Sequence, residues 1–226
     1  MNPSLFHLYE SDVSLTDFAL TVECTILTIW LWIRSRKLGT TPDKWFMLLF
    51  LSSGAASFAG GMVHGFWPPH AQTDSLLWSF TLLSLGASGV SCWNLGARFF
   101  QLSAYSRNFI ATTTLLLFGF YGIYVISAPR KFEVAILAYL PAVLFLTGSV
   151  ARQFLLSKSR QSSLGLWALA LTFVAAFIQQ GKIEIGPVGH NALYHLVQGF
   201  ALFQFAVFAA RVDKDRTSGG AAASSP

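Results

Sequence analysis

Charge is scarce in this sequence. Lysine, arginine, aspartate and glutamate together make up 11% of its 226 residues, against about 25% in an ordinary soluble domain. With 54% hydrophobic residues and a mean hydropathy of +0.54, the chain has too little polar surface to be soluble, and it reads as a membrane protein. Cysteine is nearly missing as well. Cys24 and Cys92 are the two present; they fall at different depths of different apolar runs, no disulfide between them is expected, and no CxxC or zinc-ribbon spacing occurs. The apolar runs lack the period-two alternation of barrel strands, so the spans are helices. No basic segment or small-residue cleavage site precedes the first run, which is therefore expected to be retained rather than removed as a signal peptide.

What the chain does have is long apolar runs. A helix needs roughly 20 such residues to cross about 30 Å of hydrocarbon, and seven runs qualify, at 14–34, 44–66, 75–98, 107–127, 132–155, 163–180 and 190–211. They are separated by breaks a bilayer permits, such as Trp67-Pro68-Pro69-His70 and the stretch from Gly181 to Gly189. The fold class is all-α: a polytopic seven-helix transmembrane bundle over residues 1–213. Residues 214–226, rich in glycine, alanine and serine, are expected to be a disordered tail.

Basic residues set the expected orientation. Arg34, Arg36, Lys37 and Lys44, then Arg98 and Arg107, then Arg152, Lys158 and Arg160, and finally Arg211, Lys214 and Arg216 all fall on one side. The other side holds Glu10, Asp12, Asp74 and Glu184, with Arg130, Lys131 and Lys182 as its basic residues. The positive-inside rule then places the N-terminus outside and the C-terminus in the cytoplasm, in a multi-pass protein of the cell (inner) membrane. The net charge of +5 is thereby explained by topology and implies no nucleic-acid partner. Trp30, Trp32, Trp45, Trp67 and Trp78 lie near span ends, where interfacial belts form.

All five histidines, His7, His64, His70, His190 and His195, fall on the outer side. Asp17 and Glu23 add carboxylates to the outer half of the first span, and ionisable groups in membrane spans are costly enough to suggest function. Imidazole and carboxylate within mutual reach are what a zinc or similar divalent ion requires. On the seventh span Asn191, His195 and Gln198 are spaced i, i+4, i+7 and form one polar stripe. His190 lies about 100° around from Asn191 and joins only as a cap-like residue. On the second span Ser57 and His64 share a face, among Ser53, Ala56, Gly60, Gly61 and Gly65, small residues that let helices approach closely.

Seven spans with an outer N-terminus, a second span ending in SFAGGMVHG and a seventh opening with NALYHL resemble the alkaline ceramidase and adiponectin-receptor-like superfamily of membrane hydrolases. The resemblance implies a serine and a histidine on span two, an aspartate on span three and a His-x-x-x-His pair on span seven, with three histidines binding zinc. His64 and His195 stand at two of those ligand positions. Asn191 stands where the first histidine of the pair would be, His190 is one residue early, Ser57 is seven residues before His64, and span three has no acid.

Three function classes follow. The first is a metal-dependent membrane hydrolase acting on a lipid amide or ester in the outer leaflet. There His64, His195 and His190 would hold zinc, Glu23 or Asp17 would act as fourth ligand or general base, and Ser57 would orient the nucleophile or oxyanion. The second is a non-catalytic receptor, transporter or scaffold that contacts membrane lipids and whose outer histidines are structural. A haem protein using His64 and His195 as axial ligands is a further class, limited to one haem. A retinal photoreceptor is disfavoured because span seven has no lysine for a Schiff base. Transport is not favoured by the sequence, which shows no internal repeat. Reporter fusions after Arg36, Ser103, Ser159 and Asp215 should report cytoplasm, and fusions near Gln72, Arg130 and Gly186 the outside. A cytoplasmic signal near Arg130 would remove a pair of spans from the scheme.

Overall fold

The computed structural model describes residues 8–128 and 130–222, with Asp74 and residues 213–222 given by their backbone alone. Seven long helices carry the fold: α1 (Ser11–Lys37), α2 (Lys44–Phe66), α3 (Leu76–Phe99), α4 (Ala104–Ser127), α5 (Phe132–Ser157), α6 (Arg160–Gln180) and α7 (His190–Ala222). Each is long and apolar enough to cross a membrane, α7 over His190–Val212. The chain is a multi-pass integral membrane protein, an all-α seven-helix bundle. A 3-10 turn over Pro69–Asp74 links α2 to α3. In the loop before α7, Gly186 at φ +57° turns the chain so that Ile185 and Val188 pair.

Several helices begin before their apolar runs because polar caps hold the first turn. Ser103 Oγ accepts the Ser106 N–H and Ser159 Oγ accepts the Ser162 N–H, each at 3.1 Å, which starts α4 and α6 three residues early. Asp43 caps α2 through the Trp45 N–H at 2.9 Å and also forms an ion pair with Arg98 at the end of α3. At the other extreme α7 continues to Ala222, into the segment for which a disordered tail was expected; residues 223–226 lie outside the described part.

Six of the helices close a ring in the order α1, α2, α3, α5, α6, α7 and back to α1, while α4 packs outside it against α3. The outward face of α4, with Leu115, Leu116, Phe120 and Ile123 exposed, suits a lipid-facing helix. Small residues set the closest seam of the ring. A Cβ on Gly65 would come within 2.7 Å of Ser14 Oγ, and one on Gly61 within 3.0 Å of Asp17 Cβ. With no side chain in the way, Ser14 Oγ donates to the Gly61 carbonyl at 2.8 Å.

The ring is filled at one end only. At the basic end Phe46, Phe99, Phe205 and Phe208 meet at centroid distances of 5.1 to 6.2 Å, inside a shell that includes Leu31, Leu95, Leu146 and Val150. Phe208 fits there because Gly165 of α6 has no side chain; a Cβ would sit 3.1 Å from its ring. Around this plug Arg36 lies over Trp32 and Arg152 over Phe100, at 5.2 and 4.8 Å, as belt aromatics and basic side chains do at an interface.

The α3–α5 seam depends on Gly96, where a Cβ would lie 2.6 Å from the Phe145 ring and 3.3 Å from the Leu146 backbone. Gly96→Val should destabilise the detergent-solubilised protein by about 1–3 kcal/mol. Gly119→Val, on α4 with nothing within 4 Å, should melt close to the parent. Matching thermal midpoints for the two variants would refute this account of the seam.

Candidate functional site

Opposite the phenylalanine plug the ring encloses a cavity of about 350 Å³, lined by α1, α2, α3, α5, α6 and α7. Its charged wall begins on α1. Asp17 points inward over α2, where a Cβ on Gly60 would come within 3.1 Å of its Oδ2, so the glycine step is what seats the carboxylate. Ser57, one turn away on α2, lines the cavity with it. From α7, His195 brings Nε2 to 3.3 Å from Asp17 Oδ1 and Nδ1 to 3.2 Å from Thr16 Oγ1. The Thr16 hydroxyl lies 2.9 Å from the carbonyls of both Asp12 and Val13. Both imidazole nitrogens are thus engaged by α1, and the pair is sunk in the wall, its side chains only 11% and 5% exposed.

A second carboxylate–imidazole pair forms the rim. His64 Nδ1 lies 2.6 Å from Glu10 Oε2, and Gln72 Nε2 donates to the same oxygen at 2.7 Å. The backbone locks the segment down, with the N–H groups of Tyr9 and Glu10 donating to the carbonyls of Gly65 and His64 at 3.1 Å. The His64 ring meets Trp78 edge to face at 6.1 Å. Trp78 in turn donates to the Arg130 carbonyl at 2.9 Å and packs on Phe132. Trp78, expected in an interfacial belt, instead lines the cavity.

The polar stripe of α7 faces the cavity as its spacing predicts, with Asn191, His195 and Gln198 all in the lining. Gln179 of α6 donates to Asn191 Oδ1 at 3.3 Å, whereas Gln198 Oε1 is buried without a hydrogen-bond partner. On the α5–α6 side the lining residues Leu140 and Gln180 are exposed on the outside of the bundle, Leu140 by 41%. That seam is the thinnest in the ring.

The sequence-predicted residues divide into two groups. Asp17, Ser57, His64, Asn191, His195 and Gln198 line the one cavity. His190 does not; it pairs with Glu184 at 3.3 Å on the exposed surface. Glu23 does not either. Its Oε2 lies where a Cβ on Gly199 would be, 2.6 Å away, at the α1–α7 seam. Two of the partners expected for it are committed elsewhere, His64 to Glu10 and His195 to Asp17. His70 is exposed in the 3-10 turn, and His7 lies outside the described residues. Among the described residues no three histidine, cysteine, aspartate or glutamate side chains gather in a group able to hold a metal ion. At the cavity wall the adjacent donors are Asp17 and His195.

Sequence reasoning missed Thr16, Gln179 and the role of Glu10. Gln179 and Gln180 close the sixth span facing the Asn191 end of the seventh, a signal present in the chain. Nothing local marks Thr16, whose part depends on where α7 lies.

The hydrogen bond from His64 holds the Glu10 carboxyl below the ordinary carboxylate range; burial opposes the effect, and Gln72 and the charges of His64 and His190 add to it. A lowered folded-state value means that the rim's contribution to stability is fully present above the usual carboxylate range and is lost as pH falls through the lowered one. Thermal midpoints recorded on acidification should therefore fall more steeply for the parent than for Glu10→Gln. Parallel curves would show that the rim pair does not couple to folding.

No curated protein sequence matches this chain. Residues 13–214 match a family of unknown function, DUF6962, and with nearly the whole bundle covered the chain belongs to that family.

Proposed function

We propose that the protein takes up a single-chain amphiphile from the leaflet on its cavity side and holds it inside the ring. The observation that carries this function is the polarity of the cavity wall. Asp17, Ser57, His195 and Gln198 line it from α1, α2 and α7, while α5 presents Ala135, Ile136, Leu140 and Val143, with Tyr139 among them, beside the thin α5–α6 seam. An amphiphile entering through that seam would bring its head to the polar wall and leave its chain against α5. The volume, about 350 Å³, lies at the small end of ligand pockets, roughly 300–1,000 Å³, and suits one chain with its head better than a two-chain lipid.

Hydrolysis of the bound molecule is a second function, favoured by Ser57, Asp17 and His195 on the same wall and by the correspondence of His64 and His195 with the zinc positions of ceramidase-like hydrolases. A structural or catalytic zinc takes at least three protein ligands. Asp17 and His195 supply two donors side by side, with His64 turned to Glu10, so no reaction step is assigned to a metal.

Protein purified in mild detergent should carry a single-chain amphiphile detectable by mass spectrometry. Ala135→Trp, which fills the apolar wall, should lose it while remaining monodisperse. Retention of the same bound molecule by Ala135→Trp would count against the cavity as its site. Release of free acid from a lipid ester or amide, abolished by Asp17→Asn, would establish the hydrolytic function instead.

A further inference from the structure

The outside of the bundle carries a second hollow. α4 and α5 both pack on α3 but scarcely touch each other, so a crevice runs between them. One end is shut, where Leu82, Val125 and Ala135 form a small buried cluster with Tyr121 and Phe132 packed against it. No α4 residue joins the core cluster at the basic end, and there the crevice stays open. Next to the shut end it encloses about 270 Å³, lined by residues that include Gly89, Trp93, Leu117, Tyr121, Ala138 and Pro141, with no charged group. Ala138 and Pro141 are exposed, so this groove faces lipid. Its polar side chains are paired internally. The Tyr121 hydroxyl donates to the Leu82 carbonyl at 2.9 Å, and the Thr114 hydroxyl donates to the Ile110 carbonyl at 2.8 Å while accepting the Asn94 amide at 3.3 Å. Such a groove suits hydrocarbon, because a polar group placed in it would lose water without gaining a partner.

The mouth has the opposite character. Arg107, Thr114 and Tyr121 are seven residues apart and share one face of α4; Ala138, Phe145 and Arg152 do the same on α5. Each arginine therefore stands about 21 Å along its helix from the groove lining near the shut end, more than half of the roughly 30 Å of hydrocarbon. An aromatic wall joins the two regions: Trp93 meets Phe145 at 5.0 Å, Phe145 stacks on Phe100 at 6.3 Å, and Arg152 lies over Phe100 at 4.8 Å. Both arginines are exposed, and neither forms an ion pair with a described side chain, Asp43 at that end being paired with Arg98.

We propose that the α4–α5 crevice binds an anionic phospholipid of the leaflet at the basic end, with one acyl chain along the crevice and the phosphate head between Arg107 and Arg152. Charge complementarity selects the occupant. A phosphatidylcholine head brings its own cation and has no net charge to set against two guanidiniums, whereas an anionic head has. The site lies outside the ring and stands apart from the binding function proposed for the cavity.

The test incubates the full chain in mild detergent with equal amounts of dioleoyl phosphatidylglycerol and dioleoyl phosphatidylcholine, and native mass spectrometry counts the lipid retained. Phosphatidylglycerol should be retained roughly fivefold or more over phosphatidylcholine. Arg107→Gln with Arg152→Gln should abolish that preference. Arg36→Gln with Lys37→Gln should keep it; this pair removes equal charge from exposed positions on α1, which packs on α2 and α7. Ala138→Trp, which fills the groove, should lower phosphatidylglycerol retention about threefold or more with both arginines in place; Leu117→Trp on the opposite wall replaces it where that variant does not fold. Equal retention of the two lipids would overturn the proposal, as would equal loss of preference in the α1 pair, which would mean a diffuse basic surface. Unchanged retention in the tryptophan variant would place the chain elsewhere and overturn it too.

Discussion

Asp17 can lie inside the bundle only because α2 offers it glycine. The α1–α2 seam is close enough for Ser14 to bond the Gly61 carbonyl, and the carboxylate occupies space that any side chain at Gly60 would contest. An unpaired carboxylate at that depth would be costly in a bilayer. His195 meets it there, and the same contact fixes α7 against α1. The glycine step, the carboxylate and the placement of two neighbouring helices are thus one constraint.

The contrast between the two ends of the ring follows from side-chain size and polarity. Toward the basic end four phenylalanines fill the interior, and Gly165 gives way to one of them. Toward the other end the inward residues are mostly small or polar, such as Ser53, Ala56, Ser57, Gly60 and Ser88, and they leave the space open. A polar cavity of this size is a place for water or ligand. The α5–α6 seam is its thinnest wall, while the Glu10–His64–Trp78 rim runs from α1 to α5.

The histidines show how a shared side of the membrane differs from a shared site. Placement at one end of the bundle groups His64, His190 and His195, yet each has its own carboxylate: Glu10, Glu184 and Asp17. Two of the three reach the cavity. The result is a wall whose two imidazoles are each paired with a carboxylate of the N-terminal segment or α1.

The number of spans, their approximate limits and the alignment of Asn191, His195 and Gln198 were legible in the chain because they are local. Hydropathy selects runs of membrane length, and about 100° of rotation per residue puts i, i+4 and i+7 on one face. Helix ends moved by a few residues where Ser103 and Ser159 cap turns that hydropathy does not register. The fates of Asp17 and Glu23 were decided by tertiary structure. Six residues apart, they point about 120° away from each other, so one helix cannot turn both into the same cavity. Which of them enters depends on how α1 is rotated against its neighbours. Gly60 and Gly61 admit Asp17 on one side, and Gly199 makes room for Glu23 at the α7 seam. That rotation is set by contacts between residues more than forty and more than a hundred and seventy positions apart, and no window of sequence contains both partners.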